Sequence, residues 1–450
     1  MSKKAALKIA SFTLILGILL FAVSPVMTHS ATDMAGARYI VGFYEEPENS
    51  LDAVYIGASN VFSFWAAPVA WKHYGITVYP FAGANFGSVA TKYLISEARK
   101  TQPNALYIVG ISANSFNLEA MPDSAVHYIA DYMPASVNKL QLVQKLLDLK
   151  ELDWSNRIEY YFPLVRYHSR WSELEEGDFL NEFTHLKGGD TSPSRLSKVI
   201  DASENYHITE EREALSNFQK EYVEDLFQYC ESEQVNVLFV ISNMIVVNES
   251  RLAQLNTFCD LCEEHGFPVL DLTKRMDEIG LDLTRDYGDL AHVNIHGMMK
   301  STDYLSQYLI ENYGFEDKRD DPAYSDWDEA YDEYVPVMSR YSLDFEYTNA
   351  DRDYCLAAPE LSKCSVKGTT LTLTWNAAEG ASGYCIYRKT EDSGWVSIAI
   401  VDAETLSYQD EDCEVDKTYT YTVASYQERG GTPYWGNYDF DGLSGTVCSA

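Results

Sequence analysis

The sequence predicts an α/β protein, a doubly wound parallel sheet of about five strands, followed by a C-terminal all-β sandwich. Three observations carry this reading. Short apolar runs alternate with amphipathic helical stretches between residues 53 and 315. From Ala358 onward the style changes to short alternating segments broken by Gly, Asp, Ser and Asn turns. The chain has 450 residues, 46% hydrophobic and 13% aromatic, enough for two separate cores.

Taken in order, the first strand is the apolar run Ala53 to Ile56, which ends in the small turn Gly57-Ala58 before Ser59. A helix from Pro68 to Tyr74 stops at Gly75, and Ile76 to Phe81 reads as the second strand. The turn Ala82-Gly-Ala-Asn-Phe-Gly87 lets backbone approach a ligand closely. Val89 to Lys100 reads as helix and Ala105 to Ile111 as the third strand. Residues 115–210 interrupt the alternation, with a helix from Ser136 to Leu149, and insertions of this kind often form a lid or specificity wall. The alternation resumes with helix Glu210 to Glu233, strand Val235 to Ile241, helix Ser250 to His265 and strand Pro268 to Leu272. No P-loop and no Gly-x-Gly-x-x-Gly follows a strand, so nucleotide binding has no support. The α/β domain is bounded at 39–315. Residues 316–356 are acidic and Tyr-rich and read as an interdomain connection partly wrapping the first domain. In 357–450, strands are expected at Thr370 to Trp375, Gly383 to Lys389, Trp395 to Val401 and Thr418 to Ser425. Pro359, Trp375, Tyr384, Tyr419 and Tyr421 resemble a fibronectin type III module, which implies a spacer or binding domain without chemistry of its own.

Charge and targeting narrow the function classes. The formal net charge is −34, from 68 acidic and 34 basic residues, which argues against nucleic acid and against tight electrostatic docking on anionic lipid. Lys3, Lys4 and Lys8 precede an apolar run from Ile9 to about Met27, so residues 1–31 read as a signal peptide or membrane anchor, with Ser30-Ala31 as a small-residue cleavage site. The expected location is extracellular or at the cell surface. Of eight cysteines, Cys355, Cys364, Cys385, Cys413 and Cys448 lie in the last hundred residues and are candidates for disulfides. Cys259-x-x-Cys262 sits in a helical pattern with no second ligand pair, and no metal or other cofactor is expected.

The chemistry-bearing pattern joins two distant stretches. Ser59 stands at the carboxyl end of the first strand, where open α/β sheets place ligands. Far downstream, Asp289 and His292 are three apart in Asp286-Tyr-Gly-Asp-Leu-Ala-His-Val-Asn-Ile-His-Gly297, just before an amphipathic run. At that spacing a carboxylate reaches Nδ1 of the imidazole and leaves Nε2 to take a proton from Ser59. The order Ser, Asp, His supplies nucleophile, orienting acid and base.

The early Ser after the first strand and the late Asp-x-x-His before the last helix resemble the SGNH (GDSL-type) hydrolases over roughly residues 39–315. Phe43-Tyr-Glu-Glu-Pro-Glu-Asn-Ser-Leu-Asp52 and Phe162-Pro-Leu-Val-Arg-Tyr-His-Ser-Arg-Trp171 are similar to a narrower membrane-anchored or secreted Gram-positive group related to the D-alanyl-lipoteichoic acid transfer protein. The chain departs from the wider family in having Gly57-Ala58-Ser59 for Gly-Asp-Ser, and Gly110-Ile-Ser-Ala-Asn114 for Gly-x-Asn-Asp. The resemblance implies an oxyanion hole from Gly83 and Asn114. Arg166, His168 and Arg170 are candidates for contacts to an anionic or sugar substrate, or for ion-paired scaffolding. The implied function is an exported serine esterase or O-acyltransferase acting on acyl esters of cell-envelope or extracellular carbohydrate. The alternative is a non-catalytic surface or envelope-assembly protein on a degenerate hydrolase fold.

Overall fold

The computed structural model describes residues 3–28, 39–174, 186–192, 202–245, 248–284, 286–338, 356–390, 395–429, 432–435 and 441–447, with single positions at 179, 196, 200, 438 and 439. Five strands form one parallel sheet: β1 (Ala53–Gly57), β2 (Val78–Ala82), β3 (Leu106–Ile111), β4 (Val237–Ile241) and β5 (Val269–Asp271). Their order is β2-β1-β3-β4-β5. Ala53 pairs with Val78 on one side and Leu106 on the other, and Tyr107 pairs with Val237. Strands β2, β3 and β4 are buried along their whole length, which is why they read as continuous apolar runs and not as alternation. Helices cover the sheet, and Trp65, Trp71, Tyr55 and Tyr107 are fully buried in the core. The chain leaves β1 toward β2 and returns to β3, so the sheet has its topological switch at the carboxyl ends of β1 and β3.

Three elements differ from expectation for local physical reasons. The helix predicted from Glu210 starts at Asn217, because Ser216 caps it: its Oγ accepts Gln219 N–H at 3.2 Å and its own N–H donates to Gln219 Oε1 at 2.8 Å. The preceding residues are held outside the helix by Asn256 Nδ2, which donates to the carbonyls of Thr209 and Glu211. The start of the insertion lines the cleft described below, through Ser115, Asn117 and Leu118, and the rest packs as helices. Its helices Asp123–Tyr132 and Val137–Leu149 drive Val126, Ile129, Leu142 and Leu146 into the main core. The acidic connection contains the helix Ser325–Met338, whose Trp327, Tyr331, Tyr334 and Met338 are buried at helical spacing. Trp71 Nε1 donates to Asp328 Oδ1 at 3.0 Å and ties it to the helix Ala67–Tyr74. Its acidic exposed face concealed that apolar stripe. Residues 339–355 lie outside the described residues.

The last hundred residues form antiparallel sheets: β8 (Leu361–Lys367), β9 (Thr370–Trp375), β10 (Gly383–Lys389), β11 (Val396–Asp402), β12 (Ser407–Asp410), β13 (Thr418–Arg429), β14 (Thr432–Trp435) and β15 (Leu443–Thr446). One sheet runs β11-β10-β13-β14 with β15 also on β13, the other β12-β9-β8. Trp375, Tyr384, Ile386 and Val423 fill the space between them. Among the described residues, Cys364 and Cys413, two of the disulfide candidates, are free thiols, while Cys355 and Cys448 lie outside the described residues. Cys230, Cys259 and Cys262 are also free, and burial pushes the Cys230 and Cys259 thiols up to about 12, as suits small core hydrophobes.

Residues Lys3–Thr28 form one helix, and the Ser30-Ala31 cleavage site lies outside the described residues. Many of its side chains are also outside them, and among the described residues no helix is long and apolar enough to cross a membrane.

Candidate active site

Ser59 opens the short helix Ser59–Phe62 directly after β1. The turn is held by Asn60, whose Oδ1 accepts Ala58 N–H at 3.2 Å while Nδ2 donates to Ser242 Oγ at 3.0 Å. Ser242 Oγ in turn donates to the carbonyl of Ile111 at 3.1 Å, so the ends of β1, β3 and β4 are joined by one buried polar chain. Gly57 and Gly110 permit this closeness. A Cβ on Gly57 would sit 2.6 Å from Val61 Cγ2 and 2.8 Å from Gly110 O. Gly57→Ala is therefore expected to destabilise the fold by roughly 1–3 kcal/mol, since backbone must move to make room. A denaturant titration with an unchanged slope measures it.

Asp289 and His292 close a tight hairpin. Strand β6 (Tyr287–Asp289) pairs with β7 (His292–Val293), and Asp289 faces His292 in register. The three-residue spacing is thus a turn that brings the two side chains together. Asn294 then caps the helix Ile295–Tyr313, its Oδ1 accepting the N–H of His296 and of Gly297. Gly297 packs so closely that a Cβ there would lie 2.4 Å from the carbonyl oxygen of Asp286.

The hairpin delivers His292 to Ser59. His292 Nε2 is 2.8 Å from Ser59 Oγ, and His292 Nδ1 is 2.9 and 3.0 Å from the two carboxylate oxygens of Asp289. With Nδ1–H donating to Asp289, Nε2 is the acceptor for the serine proton. Burial pushes the Asp289 carboxyl up, but the His292 hydrogen bond and charge, with the N–H groups of Ala291 and His292, outweigh it and hold the group below the usual carboxylate range. Asp289 is therefore anionic at neutral pH and able to stabilise an imidazolium.

The pair opens onto a cleft of about 330 Å³ lined by Ser59, Asn85, Asn114, Met244, Arg251 and His292 among others. Asn114 Oδ1 accepts from Arg251 Nη1 at 3.0 Å, which leaves its Nδ2 to donate. The Ser59 N–H lies in the first turn of its helix and has no intrahelical acceptor. Gly83 is placed differently from expectation. Its N–H is directed at the carbonyl of Gly57 at 3.3 Å, its Cα face is covered by the Phe86 ring, and it does not line the cleft. Asn85, two residues on and in the left-handed region at φ 58°, lines it instead.

The three basic candidates of the insertion lie away from this cleft. Arg166 Nη1 is 3.0 Å from His127 Nε2 and its guanidinium lies over the Tyr167 ring. His168 Nδ1 is 2.9 Å from the carbonyl of Val165, and Arg170 donates to the carbonyl of Met27 at 2.5 Å. Among the described residues, none from 119–210 lines the cleft. The scaffolding alternative fits these contacts. Asn60, Ser242 and Arg251 escaped the sequence reading, because the first is one position past the serine and the others lie about 180–190 residues downstream with no local motif. Among the described residues no group of His, Cys, Asp and Glu is arranged to hold a metal.

No known family's model matches the chain, and no curated protein matches it. Among solved structures it is weakly similar to fibronectin type III-like domains. One is a Fn3-like protein from Clostridium thermocellum, at 29% identity over 19% of this chain and 88% of that chain, TM-score 0.16. Another is the fn3 domain of human collagen alpha-1(XX) chain, at 14% identity over 22% of this chain and 94% of that chain, TM-score 0.19. A β-1,2-glucanase from Parabacteroides distasonis matches at 20% identity and TM-score 0.19, over 22% of this chain and 13% of that chain.

Proposed function

We propose that the chain is an exported serine esterase or O-acyltransferase of the SGNH type, acting on acyl esters of cell-envelope or extracellular carbohydrate. The observation that carries this reading is the continuous Ser59–His292–Asp289 hydrogen-bond chain at the switch point of the sheet. Ser59 Oγ attacks the ester carbonyl carbon as His292 Nε2 takes its proton. The C–O bond to the alcohol breaks, the alkoxide takes that proton from His292, and an acyl-serine remains. Water or a sugar hydroxyl then attacks the acyl-serine, with His292 acting as base and returning the proton to Ser59 Oγ. In this reading the Ser59 N–H and Asn114 Nδ2 hold the oxyanion, supported by Asn114 lining the cleft and by Arg251 engaging its Oδ1. The apolar N-terminal run and the small C-terminal module support export and surface attachment or recognition.

One observation favours the non-catalytic alternative. The Gly83 N–H, which the family resemblance assigns to the oxyanion hole, is taken up by Gly57 O. Hydrolysis of p-nitrophenyl acetate by the full chain, beside Ser59→Ala, separates the two readings. The enzyme reading expects hydrolysis in the wild type alone; equal rates in both proteins contradict it.

A further inference from the structure

The exposed large apolar side chains are unevenly placed. In the described α/β body outside the insertion, Leu290 alone is among them. Two helices carry aligned stripes. On Lys3–Thr28, Phe12, Ile15, Leu16, Leu19, Leu20 and Val23 are 42–68% exposed and recur at spacings of three and four. On the insertion helix Trp154–Tyr161 and the residue after it, Trp154, Ile158 and Phe162 follow at spacings of four and are 71%, 43% and 62% exposed. Trp171 is 73% exposed. Such stripes lie on one helix face and are costly to leave in water.

The fold packs the N-terminal helix against the insertion. The insertion's short helix Leu164–Tyr167 and the turn His168–Ser172 pack on both Lys3–Thr28 and the neighbouring insertion helices. Arg170 donates to the carbonyl of Met27 in the last turn of the N-terminal helix, where Met27 and Thr28 are buried. Arg166 and His168, both exposed, lie on the same insertion segment of a chain whose net charge is −34.

We propose that the insertion face formed by Trp154, Ile158, Phe162 and Trp171 rests in the headgroup–acyl boundary of a lipid bilayer, beside the apolar stripe of the N-terminal helix. Tryptophan with adjacent aliphatic residues suits that boundary, where one edge of the ring is apolar and the other wet. Arg166 and His168, held by His127 and the Val165 carbonyl, sit beside this face without making it a basic patch, so apolar insertion and not charge holds it there. The packing of the turn that carries exposed Trp171 on an N-terminal apolar helix selects a membrane over a soluble partner. The proposal is independent of the chemistry at Ser59.

The test uses the full chain in vesicles of phosphatidylcholine, with a nitroxide on Ile158→Cys and, separately, on Asn312→Cys as an exposed control. Free Cys259 is partly exposed, so the unsubstituted chain is labelled in parallel as background. The proposal expects the label at 158 to be relaxed by oxygen at least several-fold more than by an aqueous nickel chelate, and the label at 312 to show the reverse. Equal nickel accessibility at both positions, in chains that still float with the vesicles, overturns it. Dipolar broadening between labels at 158 would mark a second copy on this face and overturns it as well. A Trp154→Ser/Trp171→Ser variant gives a second readout: the label at 158 should lose part of its oxygen preference while the circular dichroism of the chain is unchanged.

Discussion

Ser59→Ala is expected to lower kcat for ester hydrolysis by about 10⁴-fold or more, with the folded structure retained. His292→Ala should cost a similar factor, and the double variant little beyond either one, because nucleophile and base act as a unit. The physical ground is the 2.8 Å contact from His292 Nε2 to Ser59 Oγ: without the base the hydroxyl is a poor nucleophile, and without the hydroxyl the base has nothing to activate. Asp289→Asn should also fall by about 10⁴-fold, since the amide can donate to Nδ1 and stabilise the wrong tautomer. Additive losses across the Ser59/His292 pair, measured by steady-state kinetics with circular dichroism as the fold check, would sink this account of the hydrogen-bond chain.

Lys187→Met is expected to be the largest single loss of stability outside the core. Lys187 Nζ reaches Glu46 Oε1 at 2.7 Å and pairs with Asp326, and it lies over the Trp327 ring. It thereby joins the segment before β1, the insertion and the helix Ser325–Met338. Both Glu46 and Lys187 are buried, and Glu46 Oε2 has no hydrogen-bond partner among the described residues. Burial pushes the Glu46 carboxyl up; the charge and hydrogen bond of Lys187 pull it back, and it settles at about 7. A carboxyl raised in the folded state binds its proton more tightly there than in the unfolded chain. Its stabilising contribution is therefore full below the ordinary carboxylate range and is lost as pH rises through about 7.

Removing Lys187 leaves Glu46 without compensation once it ionises. The expected cost is roughly 3–5 kcal/mol at about pH 8, where Glu46 is charged, and clearly less at about pH 5, where it is neutral. Glu46→Gln should flatten the pH dependence between about 5 and 7, and Glu46→Gln with Lys187→Met should recover part of the loss. Chemical denaturation at the two pH values decides it. A Lys187→Met penalty that is the same at both would show that Glu46 does not titrate in this range.

Much of this was legible in the sequence because the signals were local. The strands after β1 announced themselves as unbroken apolar runs, since a parallel sheet covered on both faces has no solvent side to alternate with. Asp289 and His292 were legible as a pair because three residues is the reach of one hairpin turn. What was hidden was non-local or masked by composition. The Glu46–Lys187–Asp326 cluster spans 280 residues, with no motif to announce it. Trp327, Tyr331 and Tyr334 were overlooked because acidic residues surround them, although their spacing is helical. The insertion meets the cleft through Ser115, Asn117 and Leu118, while its apolar residues further on face the core at one side and solvent at the other. The turn at Gly83 looked able to offer an N–H, and only the approach of Gly57 O shows where that N–H is spent.

The most direct test of the central claim is intact-mass and peptide analysis of the full chain after treatment with a small alkyl fluorophosphonate. The Ser59–His292–Asp289 reading predicts one adduct per chain, on the peptide carrying Ser59, absent in Ser59→Ala and formed far more slowly in His292→Ala. An adduct on another residue, or no adduct on folded wild-type protein, would contradict it.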